Sequence, residues 1–156
     1  MNVSSITIMA VAAVIGTGAG ALWSNIENRR ADAQPSAALA QQRIFTLCHT
    51  GGGTNCVVDG DTIWMDGVKI RVADIDAPET HPPRCDYEAD LGGRATQRLL
   101  QLVNAGPFEA RPIGDRDADQ YGRKLRVLIR GGQSLGDQLV SEGLARTWSG
   151  RREPWC

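Results

Sequence analysis

The sequence has no C-x-x-C pair, and its two histidines, His49 and His81, lack zinc-finger spacing, which argues against a structural zinc site. No charge of one sign prevails. The formal net charge is -1, so the chain as a whole has no pull towards nucleic acid or membrane. No internal repeat or low-complexity tract is evident, and with 42% hydrophobic and 22% charged residues the composition carries no signature of disorder. The run Gly51-Gly52-Gly53 lacks the P-loop pattern and its lysine, so it reads as a loop and not as a phosphate cradle. At 156 residues the chain suits one domain plus a short extra segment.

Charge is missing altogether from Ile6–Trp23. As a signal peptide this run has an apolar region at Ile6–Ile15 and small-x-small cleavage at Ala19-Gly20-Ala21 or Ala31-Asp32-Ala33. As a membrane anchor it is barely long enough, since a span needs about 20 residues. The missing Lys and Arg ahead of it count against a standard signal, and Arg29 and Arg30 behind it would place the domain in the cytoplasm. The four cysteines point the other way and carry more weight, because an even count suggests disulfides and an oxidising compartment. Residues 1–24 are thus expected to be a signal peptide or membrane anchor, residues 25–43 a polar linker and residues 44–156 the folded domain. The expected location is outside the cytosol: periplasmic, secreted or tethered to the membrane. Three cysteine connectivities are open. The favoured one is Cys48–Cys56, closing a short glycine-rich loop, with Cys85–Cys156.

What the chain does hold is concentrated in Val57–Thr80, which carries five Asp, one Glu and one Arg among strand-forming residues. Thr62–Met65 and Val68–Val72 read as strands, joined by the hairpin signal Asp66-Gly67. Carboxylates are poor strand formers, and hard oxygen ligands gathered at strand ends suit a cation. Glu88–Ala105 reads as an amphipathic helix, with Leu91, Ala95, Leu99, Leu102 and Val103 on one face. Phe108–Ile113 and Tyr121–Arg130 read as strands, Ser134 caps a short helix, and Ala145–Trp148 is a last extended segment. The expected fold is therefore α+β: a five-stranded OB-type β-barrel with an inserted α-helix and a second short helix, preceded by an apolar N-terminal helix. The charges divide along the chain. Val57–Gly93 has three basic and nine acidic residues, and Arg94–Cys156 has eleven basic and seven acidic. An acidic cluster facing a basic half suits a metal that bridges to an anionic substrate.

Asp59-Gly60-Asp61-Thr62, Arg71, Asp76-Ala77-Pro78-Glu79-Thr80 and Tyr121-Gly122-Arg123 together resemble the thermonuclease family, of the staphylococcal-nuclease type. The resemblance runs from about Cys56 to Trp148. It implies a calcium-dependent endonuclease that hydrolyses DNA, with RNA as a second candidate, with little sequence preference. By that resemblance Asp61 and Asp76 bind calcium through carboxylates, the Ala77 backbone carbonyl adds a third oxygen, and Asp59 stands just behind them. Glu79 activates or orients the attacking water. Arg71 and Arg123 clamp the scissile phosphate with bidentate guanidinium forks. Tyr121 lies beside the nucleotide. A monomer is expected, with any membrane contact through the N-terminal segment. Longer family members continue into a third helix, whose clamping role the Cys85–Cys156 bridge would take over at ~2–4 kcal/mol.

Plainer readings stand beside each residue. Asp59 could merely cap the turn at Gly60, Arg123 pair with Asp117 or Asp119, and Tyr121 pack under its strand. Asp66 reads as a turn residue, Asp74 as structural and His81 as a loop residue; Arg151 and Arg152 could touch a phosphate backbone, but the favoured reading is a solvated basic tail. The alternative function is a non-catalytic OB-type module that binds nucleic acid. Such a module has no need for Asp61, Asp76, Glu79, Arg71 and Arg123 together. A calcium-stabilised structural domain leaves Glu79 and both arginines without a job.

Overall fold

The computed structural model describes residues 43–49 and 53–156. The apolar run, its expected helix and most of the linker lie outside the described residues. Among those described, no helix is long and apolar enough to cross a membrane.

Along the chain come β1 (Thr46–Leu47), β2 (Cys56–Asp59), β3 (Thr62–Met65), β4 (Val68–Val72), β5 (Ile75–Asp76), α1 (Asp86–Asn104), β6 (Glu109–Pro112), β7 (Lys124–Arg130), β8 (Gln133–Ser134), α2 (Leu135–Ser141) and β9 (Arg146–Thr147). The class is α+β, with a mixed sheet ordered β1-β2-β3-β4-β7-β6, β8 on β7, and a separate β5–β9 pair. The strands expected at Thr62–Met65, Val68–Val72, Phe108–Ile113 and Tyr121–Arg130 are present as β3, β4, β6 and β7, and the extended Ala145–Trp148 holds β9, but among the described residues there are nine strands, not five. β1, β5 and β8 are two residues long, too short for alternation to reveal.

The β3–β4 hairpin turns at Asp66-Gly67, where both residues have positive φ (52° and 78°), as a tight primed turn requires. β7 starts at Lys124 and not at Tyr121. Asp119 Oδ1 accepts the backbone N–H groups of Tyr121 and Arg123, so an Asp-centred turn claims those residues before the ladder begins. β4 and β7 pair in parallel, with Arg71 opposite Leu125, and this brings the Arg71 strand beside the segment that carries Arg123.

α1 buries the expected face, Leu91, Ala95, Leu99, Leu102 and Val103, against Val57, Ile63, Val72 and Leu128 of the sheet core. Each such leucine contributes about 1.5–3 kcal/mol of apolar transfer. The helix begins at Asp86, two residues earlier than expected, from an extended Cys85 that is bonded to Cys156. α2 is capped as expected, Ser134 Oγ accepting the Asp137 N–H at 3.2 Å. Both favoured disulfides are present, Cys48–Cys56 and Cys85–Cys156. Small residues let α1 lie directly on the loops between strands. A Cβ at Gly60 would meet Ala95 and Ala77 at 2.7 and 2.8 Å, and one at Gly92 would meet the Pro78 carbonyl at 2.8 Å.

Candidate active site

Two short pieces of backbone, the β2–β3 turn and the segment from β5 to α1, place the acidic residues. Asp59 Oδ1 accepts the Asp61 N–H at 3.1 Å, so it does cap its turn. Asp61 is buried and engaged at both oxygens. Oδ1 accepts from Thr62 Oγ1 at 3.0 Å, while Oδ2 accepts from the Ala77 N–H at 3.1 Å and pairs with Arg71 Nη1 at 2.6 Å. Asp76, on β5, is equally buried. Its Oδ1 lies 3.1 Å from Arg152 Nε and 3.7 Å from Arg71 Nη2, yet neither carboxylate oxygen accepts a hydrogen bond. Burial pushes the Asp76 carboxyl above its usual range; Arg152 pulls it down and Asp61 pushes it up again. Asp59 is pushed up to about 6, by burial first and then by the charge of Asp61.

Two buried carboxylates side by side, one of them accepting no hydrogen bond at either oxygen, are a donor set that fits a hard divalent cation. Among the described residues no group of three or more His, Cys, Asp or Glu side chains is arranged to hold a metal ion. Asp61 and Asp76 are thus, among the described residues, a pair of carboxylates and not part of a larger side-chain cluster.

Glu79 sits at the rim, about one third exposed, with Oε1 in contact with Arg152 Nη1. Its loop is held from below by Glu88. This 2% exposed carboxylate in the first turn of α1 accepts the Glu79 N–H at 3.5 Å and the Arg84 N–H at 2.6 Å. Arg71 is buried and donates to the carbonyls of Val72 and Ile75, both at 3.0 Å, so it ties β4 to β5 as well as to Asp61. Arg123 pairs with Asp119 at 2.7 Å and also reaches Thr62 Oγ1 at 3.4 Å. The plainer reading of Arg123 thus holds, and the same side chain still borders the carboxylates. Tyr121 is 75% exposed beside Arg123, so it is not packed under its strand.

Arg71, Glu79, Tyr121, Arg123 and Arg152 line one cleft of about 1130 Å³, with Lys69 and Arg116 as further cations and Trp148 as a second aromatic. Asp59, Asp61, Asp76 and Ala77 are not in its lining, and Asp61 and Asp76 are linked to it through Arg71 and Arg152. Asp66 pairs with Arg43 and Asp74 accepts from Ser134 Oγ, both away from it, as structural residues. Two residues of the site were not singled out from sequence. Glu88 looks like any acidic residue at a helix start. Arg152, for which the favoured sequence reading is a solvated tail and the alternative a phosphate contact, touches Asp76 and Glu79. The available signal was the Cys85–Cys156 pairing, which returns the last residues to the loop after Glu79.

The family model described as staphylococcal nuclease homologue matches residues 69–154. That span includes Arg71, Asp76, Ala77, Glu79, Tyr121, Arg123 and Arg152, and leaves out Asp59 and Asp61. Endonuclease YncB of Bacillus subtilis (strain 168) is 38% identical over 94 residues, covering 57% of this chain and 44% of that protein. The SPbeta prophage-derived endonuclease YokF of the same organism is 38% identical over 94 residues, covering 57% and 31%. A micrococcal nuclease of Shigella flexneri is 32% identical over 102 residues, covering 57% and 53%. The chain thus spans about half or less of the length of these relatives. With the matched span covering more than half of its residues, the chain belongs to the staphylococcal nuclease homologue family.

Proposed function

We propose that this protein is a calcium-dependent nuclease, acting outside the cytosol as a monomer, that hydrolyses DNA, with RNA as a further substrate, with little sequence preference on a five-stranded OB-type barrel. The observation that carries the reading is Asp76: buried, with no hydrogen bond to either oxygen, next to Asp61 and paired with Arg71 and Arg152, which line the adjoining cleft. The relatives named as endonucleases and as a micrococcal nuclease support it, and the two disulfides support an oxidising location. Asp61, Asp76 and the Ala77 carbonyl would hold the ion, and so few protein ligands imply a dissociation constant on the order of 10⁻⁴–10⁻³ M. Bound there, calcium supplies Lewis-acid neutralisation of a phosphate oxygen. Glu79 takes a proton from, or orients, the attacking water. Arg71 and Arg123 donate to the phosphate oxygens on which charge accumulates. Water attacks in line and the P–O5′ bond breaks, leaving a 3′-phosphate. Asp59 keeps the Asp61 turn in shape, and Tyr121 stacks on a base or hydrogen-bonds a phosphate.

Digestion of plasmid and single-stranded DNA with and without calcium is the direct test, with Glu79→Gln as control. Chelation with EGTA should abolish cleavage, and Glu79→Gln should lower kcat strongly while binding survives. Undiminished cleavage in EGTA would remove calcium from the mechanism. Binding without cleavage by the unaltered protein would make this a binding module.

A further inference from the structure

We propose that Arg152 is a third phosphate-binding guanidinium of this site, delivered by a C-terminal strap that the Cys85–Cys156 disulfide fixes in place. The inference rests on the nuclease reading and adds a residue which that reading does not use. Arg152 spans two carboxylates with different expected tasks: Nε is 3.1 Å from Asp76 Oδ1 and Nη1 touches Glu79 Oε1. Its side chain is 34% exposed and faces the same cleft as Arg71 and Arg123.

The strap is anchored on both sides of Arg152. Before it, the Trp148 N–H donates to the Asp74 carbonyl at 2.8 Å. After it, Arg146 donates to the Pro154 carbonyl at 3.1 Å and lies 3.7 Å over the ring of the buried Trp155, and Cys156 is bonded to Cys85. A guanidinium held this firmly beside Glu79 stands where a phosphate must arrive if Glu79 is to address its water. In the free protein the Arg152 charge is balanced by Asp76 and Glu79. With substrate bound, Arg152 exchanges the Asp76 oxygen for a phosphate oxygen and keeps Glu79 turned to the water. A planar fork suits both partners at once.

The test is binding of a short fluorescent oligothymidylate, followed by anisotropy in EDTA over a series of salt concentrations, with cleavage kinetics alongside. Arg152→Ala should bind roughly 10- to 100-fold more weakly, as expected for a lost hydrogen bond to a charged group. Its slope of log affinity against log salt should be shallower by about 0.7, one phosphate contact on a single strand. Its KM should rise. Arg152→Lys should recover the slope and only part of the affinity. Cys85→Ser/Cys156→Ser should reproduce the Arg152→Ala loss, and the combined variant should lose nothing more, because both changes remove one contact. Arg152→Lys and the cysteine pair carry the test if Arg152→Ala does not fold. An unchanged slope and affinity in Arg152→Ala would leave Arg152 a structural ion pair and overturn the proposal. Tighter binding would make Arg152 a plug and overturn it equally. If the unaltered protein cleaves and only the Arg152 results fail, the nuclease reading stands; if it neither binds nor cleaves, both fall.

Discussion

Arg123 has two partners of unequal kind, a carboxylate at 2.7 Å and a hydroxyl at 3.4 Å. The Asp119 pair uses Nε and leaves much of the fork directed at Thr62 and the cleft. Arg123→Lys keeps the charge but cannot bond two oxygens in one plane, so turnover should fall severely while the protein stays folded. Near-normal kcat in this variant would take Arg123 out of the mechanism. Asp61, Asp76, Glu79, Arg71 and Arg123 stand out in the sequence because three separated motifs occur in order; in the structure Arg71 pairs with Asp61 and Asp76, Arg123 reaches Thr62 Oγ1, and Arg71, Glu79 and Arg123 line one cleft. Glu88 does not stand out, and Arg152 does so only as one residue of a basic tail, since their importance comes from what folds onto them. Glu88 matters because the Glu79 and Arg84 amides reach it, and Arg152 because a disulfide brings it back.

At the scale of elements, α1 is the platform on which the loop of Glu79 rests, and two adjacent glycines in it behave oppositely. A Cβ at Gly93 would meet nothing within 4 Å, whereas one at Gly92 would meet Pro78 O at 2.8 Å, Thr80 Cγ2 at 3.0 Å and Glu79 O at 3.1 Å. Gly93→Ala should therefore stabilise the protein by about 0.5–1 kcal/mol, the helix-propensity gain, with cleavage unchanged. Gly92→Ala should lose that gain to the clash and lower cleavage by displacing Glu79. Chemical denaturation and initial rates on both variants check this; equal behaviour would mean that the loop yields freely. The α1 face and the strands β3, β4, β6 and β7 are readable because each spans enough residues to show its period. The parallel β4–β7 pairing was not, since it joins strands separated by a helix and depends on packing that no local pattern encodes. The start of β7 was misread because Asp119 captures the amides of Tyr121 and Arg123.

For the whole molecule, the acidic first half and basic second half expected from sequence meet at Arg152, which comes from beyond α1 and pairs with Asp76 and Glu79, while Arg71 of β4 pairs with Asp61 and Asp76 from within the acidic half. The working parts are thus divided along the chain. Glu79 and the aspartates lie before Cys85, and Arg123 and Arg152 lie between Cys85 and Cys156. The bridge between those cysteines makes the second part a covalent ring that begins and ends beside the site. A single backbone cut inside that ring, for instance after Arg116 in the exposed stretch 113–117, opens the ring without releasing either piece. Limited trypsin treatment should therefore yield a species that runs as one chain without reductant and as two with it, and that keeps cleaving nucleic acid until reduced. Loss of activity at the first cut would show that the β6–β7 connection, and not the ring, holds the arginines in place. In a compartment where the protein meets proteases, the bond would act as insurance against the first nick.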